Sequence, residues 1–276
     1  MEGYRQASLE SWQTSAPGWA EWSGRLSEAA GGLTDWLIVR LDPQPGDTVL
    51  ELAAGAGETG YEAAGRADIR LITTDFSEPM LEEARRRAET LGVANVEFRV
   101  LDAEEMDLPD DSVDGVLCRF GYMLLEDPGA AFRETRRVLR PGGRLAFATW
   151  GRAEANPWVV FGRILVERDR MTPPGPGTPG ITALPDAAAV EPMLTAAGFT
   201  AVESETIEFL NPYPSFDGYW DYVSRAAGAV APVLAAMPAD EVADFRSELA
   251  ERVAPFARDD GSLVFPAAAL AVAGTA

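Results

Sequence analysis

The chain contains no histidine and a single cysteine, Cys118. The first absence removes every mechanism that needs imidazole, from a Ser-His-Asp triad to a histidine-ligated zinc. The second removes any intramolecular disulfide and any metal site built from several cysteines. Basic residues are also scarce, 23 against 44 acidic ones, for a net charge of −21. That balance argues against nucleic acid and anionic membrane surfaces as partners, and it favours solubility. No segment approaches the ~20 apolar residues of a membrane span. The start, Met1-Glu-Gly-Tyr-Arg-Gln6, lacks the apolar core of a signal peptide. A cytoplasmic protein is therefore expected, with a homodimer left open. What remains is ordinary globular material: 276 residues, 47% hydrophobic and 24% charged, enough for one large core without staples.

The pattern changes along the chain. Residues 1–45 read as an N-terminal helical cap broken at Pro17-Gly18, with Trp12, Trp19, Trp22 and Trp36 among small residues. Four of the seven tryptophans thus precede residue 40, a density suited to burial on a core or to lining a pocket. Residues 46–276 form the main domain. Strands are expected at Asp47–Leu52, Ile69–Thr74, Val96–Leu101, Val113–Cys118 and Arg144–Trp150. Ser77–Leu91, with Leu81, Ala84, Ala88 and Leu91 on one stripe, is a helix capped by Ser77. Another helix over Pro128–Leu139 stops at Arg140-Pro-Gly-Gly143. Strands spaced by amphipathic helices imply a doubly wound α/β sheet with right-handed crossovers. Thr172–Gly180 holds seven Pro or Gly among nine residues and can only be a loop. Helices are expected at Asn156–Arg170, at Asp186–Ala197 and across 215–254. Strands 201–210 and 262–273 would close the sheet, making the helices between them a lid.

The stretch from Thr48 to Gly60 carries the first functional signal. An apolar run, Val49-Leu-Glu-Leu52, enters a turn with Gly55 and Gly57, and a helix opens at Glu58. Strand, glycine turn and helix bring backbone close to a nucleotide-like ligand. Gly55-Ala-Gly-Glu-Thr-Gly60 also fits the G-x-G-x-x-G of a dehydrogenase. Asp75 follows the second strand 20 residues after Gly55, where an acidic residue can accept hydrogen bonds from ribose hydroxyls. Three further blocks depart from the dehydrogenase pattern: Val100-Leu-Asp-Ala-Glu104, Leu108-Pro-Asp-Asp-Ser-Val-Asp-Gly-Val-Leu117 and Arg137-Val-Leu-Arg-Pro-Gly-Gly-Arg-Leu145.

In this order and spacing, the blocks resemble the class I S-adenosylmethionine-dependent methyltransferases, in the branch related to ubiquinone and menaquinone biosynthesis. The resemblance covers residues 46–150 clearly and 190–210 loosely. It implies a seven-stranded Rossmann-like sheet and S-adenosyl-L-methionine as cofactor, with S-adenosyl-L-homocysteine as product. It places Glu51 near the methionine end of the cofactor, with Ala53, Gly55 and Gly57 as a backbone cradle. Asp75 would take the ribose, Phe76 and Met80 would flank the adenine, and Asp102 and Ala103 would meet its polar edge. Cys118 and Arg119 would lie near the methionine and sulfonium. Read from the residues alone, Cys118 is a buried apolar filler and Arg119 equally a surface charge. Ala53 departs from the first glycine of the family's D-x-G-x-G-x-G, and Gly60 looks incidental.

Transfer of an already activated methyl needs positioning and exclusion of water more than acid–base chemistry, so lack of histidine is compatible with it. The acceptor is expected to be a small, apolar or aromatic molecule held over the strand ends. Trp12, Trp19, Tyr122, Trp150 and Trp158 are the candidate contacts, with Tyr4, Tyr219 and Trp220 behind them. The alternatives are a member that binds the cofactor without transferring methyl, as a scaffold or cyclisation catalyst, and a nicotinamide-dependent dehydrogenase. No residue selects itself as a catalytic base, and no metal site is expected.

Overall fold

The computed structural model describes residues 2–173, 175 and 177–276, so Met1, Pro174 and Pro176, which fall in the N-terminus and proline-glycine loop, lie outside it. In chain order the elements are α1 (Glu2–Ala29), α2 (Gly31–Leu41), β1 (Thr48–Glu51), α3 (Glu58–Arg66), β2 (Arg70–Asp75) and α4 (Glu78–Leu91). Next come β3 (Val96–Val100), β4 (Val113–Arg119), α5 (Pro128–Val138), β5 (Leu139–Trp150), α6 (Val160–Glu167) and α7 (Ala187–Ala197). The chain closes with β6 (Thr200–Tyr213), α8 (Phe216–Arg225), α9 (Ala231–Ala236), α10 (Ala239–Val253) and β7 (Leu263–Thr275).

The seven strands form one sheet in the order β3-β2-β1-β4-β5-β7-β6. β1 to β5 are parallel, and β7 runs antiparallel between β5 and β6. The expected α/β sheet, its five parallel strands and its closing pair are all present. Alternation along β5 shows how both faces are covered: Leu145 and Phe147 pack with Phe132, Val190 and Leu194 of α5 and α7. Ala146 and Ala148 pack instead with Leu33, Leu37 and Leu41 of α2 and with residues of α3 and α4. Strand order reverses between β1 and β4, so a crevice opens there, outside the carboxyl ends of the strands.

Local chemistry sets the element ends. Ser77 caps α4 by accepting from the Met80 N–H, and Gly92 ends it at φ 66°. Met80, Leu81, Ala84 and Ala88 are its buried stripe, whereas Leu91 is exposed. The Arg140-Pro-Gly-Gly turn does not precede β5. It lies inside the strand as an irregularity, pairing shifting from Val113 with Leu139 to Gly115 with Arg144.

Three further expectations change. α1 continues through Pro17 instead of breaking there. Tertiary contact outweighs the local cost, because α1 lies so close to α8 that a Cβ on Gly18 would stand 2.4 Å from the Arg225 carbonyl oxygen. The helix expected from Asn156 is confined to Val160–Glu167, after two short turns of tighter helix. The 215–254 stretch is three helices, interrupted at residues 226–230 and at Met237-Pro238.

The last two strands overhang the rest of the sheet. Trp150, the end of β5, pairs with Ala269, and Ala269 pairs with Ile207. Beyond that level β6 and β7 continue as a two-stranded ladder up to Tyr213 opposite Leu263, where Ala257 adds one bridge. A third hydrophobic cluster gathers around this overhang: Trp22, Trp158, Phe161, Tyr213, Tyr219, Tyr222, Phe245 and Phe265.

Candidate functional site

A cavity of about 1420 Å³ opens above the strand ends. Single ligand pockets are usually about 300–1,000 Å³, so the space accommodates two molecules side by side. Its lower end is formed by the turns after β1, β2, β3 and β4; its upper end by the overhang, α6, the 171–185 loop and the 226–230 segment. α1 crosses the mouth between them.

At the lower end, Glu51 and Asp75 are buried carboxylates, 3% and 6% exposed. The Asp75 carboxylate accepts from the Gly55 and Ser77 N–H groups, each at 3.0 Å, locking the glycine turn to the end of β2. The Ala54 N–H donates to the Thr74 carbonyl and the Gly57 N–H to that of Ala54. Three N–H groups of the turn are thus used internally, and the turn offers close backbone approach more than a donor cradle. A phosphate site depends on such free donors. Ala53 adopts φ 48°, so its methyl departs from the family glycine while the left-handed backbone geometry is kept.

Burial pushes the Asp75 carboxyl up to about 6 against the pull of its backbone donors. It pushes Glu51 up to about 8, partly offset by the Gly60 N–H. That donor lies 2.8 Å from Glu51 Oε1, and a Cβ on Gly60 would stand 2.3 Å from Oε2. Gly60 is therefore a required close approach, not an incidental residue. Gly57 is needed for a different reason: at φ 84° its Cβ would strike the Tyr61 ring at 2.4 Å. It shapes the start of α3 and does not line the cavity.

Arg119 extends into the enclosed space from the end of β4. Its Nη1 donates to Ser27 Oγ at 3.1 Å and Thr34 Oγ1 at 3.3 Å, so its partners are two hydroxyls and not a carboxylate. Desolvation lowers its pKa, with Glu58 and Glu51 acting in the opposite sense. Cys118, the preceding residue, faces the core. Burial pushes its thiol up to about 12, and the residue does not line the cavity.

Ala53, Gly55, Phe76, Met80, Asp102 and Ala103 join Glu51, Asp75 and Arg119 on the cavity wall. Of the expected aromatics, Trp12, Trp19, Trp150 and Trp158 line it and Tyr122 does not. Tyr122 is fully buried between Phe132 and Phe147, its hydroxyl bonded to Thr135, because the short turn after β4 directs it into the core between α5 and β5. Tyr219 and Trp220 also point away from the cavity. The Tyr219 hydroxyl is tied to the Trp158 carbonyl, and Trp220 packs on Phe245.

Two tryptophans bridge the ends of the site. Trp19 covers Gly55, whose Cβ would be 2.7 Å from Trp19 Nε1, and Trp12 covers Gly228, with a Cβ clearance of 2.9 Å. The two rings meet edge to face at 5.8 Å. Further along α1, Arg5 pairs with Asp102 at 3.1 Å and Glu104 at 3.0 Å, while the Tyr4 hydroxyl donates to the Leu124 carbonyl. At the centre, Phe120, at φ 65°, stacks on Trp150 with centroids 4.1 Å apart and planes 4° from parallel.

Sequence reasoning missed the wall supplied by the 171–185 loop, by Phe209 and Asn211 of β6, and by Tyr222 and residues 226–230. Glycine and proline in the loop signal a turn but not what it faces. The alanine-rich 226–230 segment carries no periodic signal. Among the described residues, no cluster of His, Cys, Asp or Glu could hold a metal ion, and no helix is long and apolar enough to cross a membrane.

Residues 49–143 match the family model of a methyltransferase domain. The chain is 36% identical over 124 residues to the ubiquinone/menaquinone biosynthesis C-methyltransferase of Acidiphilium cryptum, covering 44% of this chain and 50% of that protein. It is 36% identical over 129 residues to the 27-O-demethylrifamycin SV methyltransferase of Amycolatopsis mediterranei, covering 46% and 47%. The matches thus span about half the length of these relatives. The solved structure of the YcgJ protein from Bacillus subtilis superposes with a TM-score of 0.61 at 24% identity, covering 89% of this chain and 98% of that one, and shows the same fold. Residues 49–143 thus carry a methyltransferase domain, and motif order and sheet topology make the chain similar to the class I S-adenosylmethionine-dependent methyltransferases, in the branch related to the ubiquinone and menaquinone biosynthesis enzymes.

Proposed function

We propose that the protein transfers a methyl group from S-adenosylmethionine to an apolar or aromatic small molecule held in the upper end of the cavity. The observation that carries this reading is one continuous cavity with two different ends: buried carboxylates and close backbone below, aromatic walls above. The lower end fits the cofactor. Asp75 keeps lone pairs for ribose hydroxyls beyond its two backbone donors, and Phe76 and Met80 offer apolar surfaces to an adenine. Arg119, partnered only by hydroxyls, has remaining guanidinium donors for the carboxylate of the methionine tail. Glu51 supplies negative charge toward the same end once ionised. The internal use of the turn's N–H groups argues against a dinucleotide pyrophosphate.

When bound, the cofactor supplies an electrophilic methyl on a sulfonium. The chain's own contribution is to orient the acceptor and keep water out. Phe120 and Trp150 present a flat stacked pair where the two ends meet, and Trp158, Phe161 and Phe209 continue the apolar surface. Helices α8 to α10 act as a lid over it, and α1 closes the mouth through Trp12 and Trp19. Burial keeps Tyr222 a neutral phenol, so this wall orients more than it ionises. The names of the relatives support a small-molecule acceptor.

The reading is tested by calorimetric titration with S-adenosylhomocysteine, followed by screening for its formation from S-adenosylmethionine across phenolic and polycyclic acceptors. Saturable binding with acceptor-dependent turnover is expected. Binding without turnover on any acceptor would favour a member that uses the cofactor as a scaffold. Absence of binding would overturn the assignment.

A further inference from the structure

Aromatic and aliphatic side chains make much of the upper end of the cavity, and two polar side chains in that wall are left incompletely bonded. Asn211, 1% exposed, uses Nδ2 to reach the Tyr213 hydroxyl at 3.3 Å, and its Oδ1 is unbonded. Tyr222, 5% exposed, makes no side-chain hydrogen bond, and burial is the sole cause raising its pKa. Both residues line the cavity, and both rest on Tyr213: Asn211 by its amide, Tyr222 by ring packing at 5.5 Å. A buried polar group without a partner costs free energy, and native structures satisfy nearly all of them. Here one such atom, Asn211 Oδ1, and the unbonded Tyr222 hydroxyl belong to residues that line the same ligand-sized space.

Their height in the fold matters. Ile207 stands level with Trp150 through Ala269, and Asn211 is four residues further along the overhang. At about 3.3 Å per residue this places it ~13 Å beyond the strand end. Phe209, which packs on Trp150, shares its strand face and fills the interval. A group bonded to Asn211 is therefore remote from the lower end.

We propose that Asn211 and Tyr222 form a hydrogen-bonding station for a hydroxyl on the acceptor, distant from the atom that is methylated. This rests on the upper cavity being the acceptor site. The chemistry selects a hydroxyl. Asn211 Oδ1 requires a donor, and the Tyr222 hydroxyl can both give and accept. A hydroxyl also satisfies the amide if it is turned over, with Tyr213 donating to Oδ1 and Nδ2 facing the ligand. Neither Asn211 nor Tyr222 carries a charge that would offset the desolvation of a carboxylate or an ammonium at this station. The acceptor is then an elongated, uncharged molecule with an apolar middle and a hydroxylated far end.

The test uses 2-naphthol and naphthalene as matched probes, followed by quenching of tryptophan fluorescence, with and without saturating S-adenosylhomocysteine. The wild-type protein should prefer 2-naphthol by about fivefold, the scale of one hydrogen bond between uncharged groups. Asn211→Leu and the near-isosteric Tyr222→Phe should each bring the two affinities within about twofold, by losing the naphthol and not by gaining the hydrocarbon. Cofactor affinity and Tm of Tyr222→Phe should stay at wild-type values. Equal wild-type affinities, or a preference that survives both substitutions, would overturn the proposal. Because the unloaded protein is titrated too, failure of cofactor binding is scored separately and strikes only the methyl-transfer reading.

Discussion

The lower and upper ends of the cavity are made by different parts of the fold and by different physics. Below, the two buried carboxylates stand at the carboxyl ends of parallel strands, and hydrogen bonds from backbone fix them: Asp75 from Gly55 and Ser77, Glu51 from Gly60. Above, three helices, a loop and a strand overhang meet through ring packing, such as Trp150 on Trp158 at 4.7 Å and Tyr213 on Tyr219 at 5.0 Å. The lower end is pinned locally by the sheet. The upper end depends on its own hydrophobic cluster, so its shape can change without disturbing the strands beneath it. A binding site for a constant ligand suits the first construction, and a variable one suits the second.

Breaking one end at a time checks that division. The largest effect is expected for Trp158→Ala, which removes a ring 1% exposed at the junction of the upper cluster. It should lower stability by about 3–5 kcal/mol, seen in denaturant unfolding, while the folded fraction keeps its affinity for S-adenosylhomocysteine. Asp75→Ala should do the reverse. Loss of a charge-assisted ribose contact, and of the tie on the glycine turn, should weaken S-adenosylhomocysteine by roughly a hundredfold in calorimetry. Naphthol binding above should be unchanged.

Glu51→Gln sharpens the comparison through pH. The Glu51 carboxyl rises from an ordinary 4.5 to about 8 on folding, so the folded protein holds that proton more tightly. Its contribution to stability is therefore full below 4.5 and lost as pH rises through about 8. The glutamine variant should escape this loss. Its Tm should exceed the wild-type value by about 2–4 °C at pH 8.5, with the difference shrinking toward pH 5. The smallest effect is expected for Arg5→Ala. The pair it forms with Asp102 is partly exposed, with side chains 42% and 34% accessible, so stability should change by less than about 1 kcal/mol. Faster dissociation of S-adenosylhomocysteine in stopped flow would show that α1 retains the ligand. An unchanged rate would show that Trp12 and Trp19 close the mouth without it.

The sequence was legible where function follows chain order. Asp75 could be placed because a strand end and a fixed offset from Gly55 determine it, and Ser77 because a capping residue acts on its near neighbour. Legibility failed where distant segments decide the outcome. Nothing local to Pro17-Gly18 shows that Arg225 backbone packs against that helix. Gly60 seemed dispensable because the Glu51 carboxylate it accommodates is nine residues earlier and on another element. Tyr122 carries the same composition signal as a pocket aromatic, and only the turn after β4 sends its ring inward. Asn211 and Tyr222 lie in a polar-apolar mixture with no motif, and their shared wall exists only once β6 extends past its neighbours.

That extension gives the protein a ruler. Above Trp150 the ladder of β6 and β7 is with each other, with a bridge from Ala257 to Leu263 at its far end, so their length is free of the register that binds β1 to β5. Adding two residues to each strand would preserve which side chains face inward and raise the end wall by about 7 Å. Removing two would lower it equally. The longest molecule the cavity admits is thus set by how far one strand pair grows, while the chemistry at its foot stays in place.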